Sequence, residues 1–397
     1  MKDDKRLITF FVGILGLIIL SYPITFLLSR KGYINISFDN FKQVNIETGF
    51  LSSFTNLVNR VELAIENRVT NYFPFYYTIN SANSSINNTL DTMLYKVLDI
   101  NYHPLNSDSQ NEMILKDDEH FVLITTLNKE ELDSRMKKQI DFFNSISNLN
   151  VNTYIYFANR YEFYPFSNIN KINNMNKYYE DFKNSITNIK TDELKVNNKE
   201  EYLNYFYKTD HHFNMYGAYQ GYKDIMTMMG KDYKEGNIFK VDGITYRGSM
   251  AKSSYTSSLK DNLYDIDIEL ENYKVLVNDS ENLDMYKEHK IKKTNNIYYD
   301  HYVAYFNGMY GKVTYDFDND SKDNLLILGD SFTWQIDNLI ASHYDKTYIF
   351  NLKYLDYNLD LNKFIKENNI TDVLFLYETN AILFDQYNYD FENRIVR

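Results

Sequence analysis

"LLILGDSFTW", residues 325–334, decides how this sequence is read. Four apolar residues without a polar interruption suit a strand buried on both faces, as in a parallel sheet flanked by helices. The run stops at Gly329-Asp330-Ser331, and an amphipathic pattern then resumes, so a strand turns here into a helix. Two readings of the turn stand side by side. In one, Asp330 or Ser331 only caps the next helix. In the other, Ser331 is a nucleophile presented at a strand-to-helix turn. The glycine matters because the chain has only 13 of them.

Outward from this run, "DVLFLYE" (372–378) reads as a second continuous strand, and "VNTYIYFANR" (151–160) as a buried third. "MILKDDEHFVLITT" (113–126) reads as two short strands flanking a turn over Lys116–Glu119. Helical spacing covers about 129–147, and the Asn/Lys-rich stretch 170–209 reads as helices with loops. Strands separated by helical patterns predict an α/β layered domain with a mainly parallel sheet. The stretch 231–320 is polar and irregular and reads as insertions. No internal repeat is visible.

The 397-residue chain carries a formal net charge of −12, which argues against nucleic acid as a partner. It has no cysteine, so disulfides, thiolate zinc sites and a cysteine nucleophile are excluded. Its seven histidines form no His-Glu-x-x-His pattern, which disfavours a metal enzyme, and no metal ligand is assigned. The 38 tyrosines suit packing or stacking on sugar rings.

Leu7 to Leu28 is 22 residues without a charge, long enough as a helix to span a bilayer. Lys2, Lys5 and Arg6 precede it and Arg30 and Lys31 follow, a slight asymmetry that favours an inside N-terminus. The reading is a cytoplasmic tail (1–6), an uncleaved signal-anchor (7–28), a membrane-proximal stalk (29–60) and an extracytoplasmic domain (61–397). A cleaved signal peptide is the alternative.

A serine nucleophile needs a base, and the base needs an acceptor that fixes its tautomer. "YKTDHHFNMYGAYQGY" (207–222) offers Asp210-His211-His212. In extended chain Asp210 and His212 share a face, so Asp210 can orient His212 toward Ser331. The bland alternative is a structural histidine pair. The only histidine after Ser331 is His343, in the helix expected after the turn and poorly placed to reach its start. No glycine occurs between Gly49 and Gly217, and six then fall between 217 and 248. Among them Gly248, in "YRGS", could bring a backbone N–H to an oxyanion, or sit in a plain surface turn. Asn380, just past "LYE", could reach a site at the strand carboxyl ends.

These pieces in this order resemble the DHHW proteins and the related alginate O-acetyltransferase family, of the SGNH-hydrolase-like group. The likeness rests on "TDHHF" with its Gly-Ala-Tyr continuation, "YRGS" and "LLILGDSF", and on "IENRVTNYFPF" and "ILKDDEHFVL" upstream. It covers roughly residues 60–397. Phe213 stands where the family motif has Trp, and Tyr76 where a basic residue is common. The resemblance implies a three-layer α/β fold, with Ser331 as nucleophile, His212 as base and Asp210 as its orienter. It further implies an extracytoplasmic O-acetyltransferase acting on a cell-envelope or secreted polysaccharide. A membrane-bound acyltransferase would supply the acyl group, and no cofactor is needed. A glycan O-acetylesterase, or a non-catalytic glycan-binding component of an export complex, are the alternatives. Oxyanion stabilisation falls to the N–H groups of Ser331 and Gly248, each worth about 3 kcal/mol in comparable sites.

Overall fold

The computed structural model describes residues 103–105, 112–116 and 119–396, except 148, 272, 282–293, 295, 307, 319–320 and 388. All of them lie in one unit, Asn87–Arg397. The Leu7–Leu28 run, the stalk, Tyr76 and the expected boundary at residue 61 fall outside the described residues. Among those described, no helix is long and apolar enough to cross a membrane.

Eight strands form the central sheet among the described residues. In chain order they are β1 (Asn152–Ala158), β2 (Lys190–Glu193), β3 (Lys274–Val277), β4 (Ser280–Glu281), β5 (Lys312–Asp316), β6 (Asn324–Gly329), β7 (Lys346–Phe350) and β8 (Ile370–Glu378). Their spatial order is β2-β1-β8-β6-β7-β5-β3-β4. The first five positions pair in parallel; β7 to β4 pair antiparallel. The expected parallel arrangement thus holds for five of the eight strands, and an antiparallel edge makes the whole sheet mixed. The physical reason lies in the stretch read as insertions. "KVLV" in β3 and "KVTYD" in β5 bury enough side chains to extend the sheet past β7.

Side chains alternate along the central strands, so each face has its own core. On one face Tyr156, Leu325, Ile327, Leu374 and Leu376 cluster with Ala218, Tyr222 and Ile225 of helix α3 (Met215–Met229). On the other, Phe157, Leu326, Leu328, Val373 and Phe375 cluster with residues of α1 (Lys129–Ile146) and α2 (Met175–Ser185). The result is three layers, and it explains why "LLIL" and the "VLFLY" of 373–377 run without a charged residue. Asn128 and Glu131 close a capping box at the start of α1, and its Leu132, Phe142, Phe143 and Ile146 are buried. The hairpin expected over 113–126 is present as Glu112–Lys116 against Phe121–Thr125.

Candidate active site

The site lies at the carboxyl ends of β6, β8 and β1, where open α/β sheets present their binding crevices. β6 ends at Gly329, and a short 3-10 turn, Ser331–Thr333, follows it. A Cβ on Gly329 would stand 2.3 Å from Thr333 Cγ2 and 3.1 Å from Leu376 O, so the turn folds back too closely for any side chain there. A glycine is therefore required before Asp330 and Ser331. Buried Asp330 accepts from Phe332 N–H at 2.9 Å and from Glu378 N–H at 2.8 Å, tying the end of β6 to the end of β8. Burial pushes its carboxyl up to about 7. Asp330 is thus the cap, and Ser331 is left to face the cleft.

The 207–214 loop supplies the partners. It is closed by an antiparallel bridge between Phe206 and Phe213 and by Tyr207 N–H donating to His212 O. Asn214 then caps α3, accepting from Tyr216 and Gly217 N–H. Residues 208–212 are bent rather than extended, which corrects the geometry read from the sequence. His212 N–H folds back onto Asp210 Oδ1 at 3.1 Å, and the His212 ring follows it. Asp210 Oδ1 lies 2.6 Å from His212 Nδ1, and His212 Nε2 lies 2.6 Å from Ser331 Oγ. Asp210, His212 and Ser331 are thus brought into one hydrogen-bonded series.

Asp210 is buried, and burial alone would raise its pKa. The facing His212 and His211 imidazoles and donated hydrogen bonds outweigh that and hold the carboxyl well below the usual carboxylate range. Its Oδ2 accepts from Tyr246 OH at 2.8 Å and from Ser249 N–H at 2.6 Å. Aromatic rings pack on His212: Tyr302 stacks on it at 4.3 Å with planes 15° apart, and Phe332 lies at 4.7 Å, tilted by 50°. Tyr302 OH donates to Ser331 O at 2.8 Å, so one side chain fixes both the base and the serine backbone. Tyr246 and Tyr302 escaped the sequence reading, because nothing marks them among 38 tyrosines. His343 pairs with Tyr222 OH at 2.7 Å instead of approaching Ser331.

Gly248 and Asn380 have other partners. Gly248 N–H donates to Thr209 Oγ1 at 3.0 Å, so the donor expected for an oxyanion is already engaged. The glycine is required for a different reason: a Cβ there would stand 2.2–2.3 Å from the Asp210 side chain. It lets helix α4 (Ser249–Ser253) begin against Asp210. Asn380 is fully buried and donates to Thr125 Oγ1 at 2.9 Å and Glu162 Oε1 at 3.2 Å. It therefore braces Glu162 and does not line the cleft. Gly248→Ala is expected to displace Asp210 and reduce Ser331 reactivity roughly 100-fold, the order of loss that a misplacement of about 1 Å causes, with the chain still folded by circular dichroism. Wild-type reactivity in that variant would show that the contact is not needed.

The cleft measures about 250 Å³, and Ser331, His211, Ser249, Lys353, Glu378 and Tyr387 are among its walls. Buried Arg160, two residues past β1, pairs with Glu112, Glu378 and Tyr387 on that wall. It ties the loop after β1 to the end of β8. A serine, a base and an orienting carboxylate in series, opening on a polar cleft, can carry out acyl transfer.

No family model matches the chain, and no curated protein does. Solved structures do. The crystal structure of a DHHW family protein from Eubacterium siraeum superposes with a TM-score of 0.56 at 16% identity, covering 74% of this chain and 99% of that one. Bacillus cereus PatB1 gives 0.54 at 22% identity, covering 70% and 100%. The structure of PatB1 with a sulfonyl adduct gives 0.53 at 19%, covering 69% and 96%. The likeness to DHHW proteins that the ordered motifs carry is therefore also a likeness of fold.

Proposed function

We propose that this chain is an extracytoplasmic O-acetyltransferase that modifies a cell-envelope or secreted polysaccharide through an acyl-enzyme on Ser331. The observation that carries the reading is the Asp210–His212–Ser331 series at the edge of the cleft. The motif resemblance supplies the substrate class. In the first half-reaction His212 Nε2 takes the Ser331 proton while Oγ attacks an acetyl carbonyl. Asp210 holds the imidazole by Nδ1 and stabilises its charged form. The leaving group takes the proton from His212. In the second half-reaction a sugar hydroxyl, deprotonated by His212, attacks the acetyl carbon and frees Ser331. The Ser331 N–H is the backbone donor proposed for the oxyanion. A membrane-bound acyltransferase is the proposed source of the acetyl group. The deciding experiment is mass analysis of the protein after exposure to an activated acetyl ester, with one acetyl group expected on Ser331.

The uncharged Leu7–Leu28 run motivates the membrane anchor and the cell-surface location. The full chain is expected to fractionate with membranes, and a chain shortened to residues 30–397 to remain in the supernatant. Full-length protein with an intact N-terminus in the supernatant would rule the anchor out.

A further inference from the structure

His211 and Ser249 stand beside the triad without a part in it. His211 Nδ1 lies 3.0 Å from Ser249 Oγ, and the His211 ring centroid is 4.0 Å from that of His212. Both residues line the same cleft as Ser331. Asp210 reaches both of them. Its Oδ1 lies 3.4 Å from His211 Nδ1, and its Oδ2 accepts the Ser249 backbone N–H. The backbone of Ser249 is therefore anchored by the triad, while its hydroxyl is held separately by His211.

The chemistry needs something at this place. Once Ser331 is acylated, the incoming hydroxyl must come within hydrogen-bond reach of His212 Nε2. A group that binds it must lie on the imidazole side of the cleft. Water reaches that point without help, whereas a sugar hydroxyl must be held there against water at far higher concentration. Burial, and then the close approach of His212, keep His211 well below its ordinary pKa, so it sits as a neutral imidazole. With the proton on Nδ1, the form favoured by the adjacent Asp210 carboxylate, His211 donates to Ser249 Oγ. The Ser249 hydroxyl can then donate to an oxygen in the cleft. In the other tautomer Ser249 donates to His211, and Oγ can accept from a ligand hydroxyl.

We propose that Ser249, held by His211, positions the acceptor sugar hydroxyl and thereby sets the partition of the acyl-enzyme between transfer to sugar and loss to water. This rests on the O-acetyltransfer reading above. In the step it serves, the sugar oxygen bonds to the acyl carbon and the bond from that carbon to Ser331 Oγ breaks. The sugar proton passes through His212 Nε2 to Ser331 Oγ. Ser249 and His211 form no covalent bond; they are positioning residues.

The test uses the full chain with p-nitrophenyl acetate as donor and chitotetraose and xylotetraose as acceptors. The readout is the ratio of acetylated sugar to free acetate after subtraction of the spontaneous ester hydrolysis, which does not depend on how much of the enzyme is active. Ser249→Ala retains the backbone N–H on Asp210 and should lower the ratio about tenfold, the size of one hydrogen bond of roughly 1.4 kcal/mol. Ser249→Thr, which restores the hydroxyl, should recover most of it. A ratio unchanged in Ser249→Ala, or equally low in Ser249→Thr, would overturn the assignment. Wild-type protein that forms no acetyl-enzyme would overturn the O-acetyltransfer reading itself. Acetyl-enzyme that yields acetate alone with both sugars would remove the subsite and leave the nucleophile standing.

Discussion

Ser331→Ala is expected to abolish acetyl-enzyme formation, and His212→Ala to slow it by roughly 10⁴–10⁶. The serine hydroxyl is a weak nucleophile unless a base takes its proton as it attacks. His212 Nε2 at 2.6 Å is placed to do so, and the rings of Tyr302 and Phe332 leave the imidazole little freedom to turn away. The turn at Gly329 and the buried Asp330 cap fix the other partner. Intact-mass measurement after p-nitrophenyl acetate or a sulfonyl fluoride should give one adduct per wild-type chain and none in Ser331→Ala. The competing nucleophile in the cleft is Ser249, whose hydroxyl also meets an imidazole. Labelling of Ser331→Ala at the wild-type rate, with the adduct on Ser249, would show that the wrong serine has been assigned.

How far the sequence carried this site depended on whether a residue's role is local. "LLIL" and the "VLFLY" within "DVLFLYE" are legible as strands because a sheet covered on both faces favours near-continuous apolar runs. The strands Lys274–Val277 and Lys312–Asp316 are not, since each is short and set in a polar stretch that masks its pairing. Gly329 was noticed from its place at a strand end, and its close approach to Thr333 and Leu376 is the reason for it. Gly248 stands out for the same kind of reason, but its task is to make room for the Asp210 side chain rather than to supply an oxyanion donor. A sequence shows that a backbone approaches something closely, but not that the Thr209 hydroxyl already takes the N–H. Asn380 was placed at the correct strand end, yet its side chain turns to Thr125 and Glu162, more than 200 residues away in the chain. Tyr302 had no local signal at all. Its value comes from touching His212 and Ser331 O at once, which only the tertiary fold arranges.

Within Asp210-His211-His212, substitution of the two histidines should have opposite consequences. In an extended chain His212 would face Asp210 because alternate residues share a face. The loop is bent, so that reason fails, and a different one stands in its place. His212 N–H bonds to the Asp210 carboxylate two residues back, and this turn brings Nδ1 of the same residue to 2.6 Å from the same oxygen. His211 Nδ1 is at 3.4 Å from that oxygen and has Ser249 Oγ closer, at 3.0 Å. His212→Ala should therefore remove acylation and leave the fold intact, because the Asn214 cap and the Phe206–Phe213 bridge do not depend on its ring. His211→Ala should keep a measurable acylation burst. Asp210→Asn should cost about 10⁴ in rate, as the loss of the orienting carboxylate does in serine triads. An asparagine amide cannot support the charged imidazole, and it can present a donor to the nitrogen that should donate. The burst amplitude and rate with p-nitrophenyl acetate, measured beside circular dichroism for each variant, decide the matter. A folded His211→Ala without a burst, together with a folded His212→Ala that retains one, would reverse the assignment and with it the pairing of His212 with Ser331.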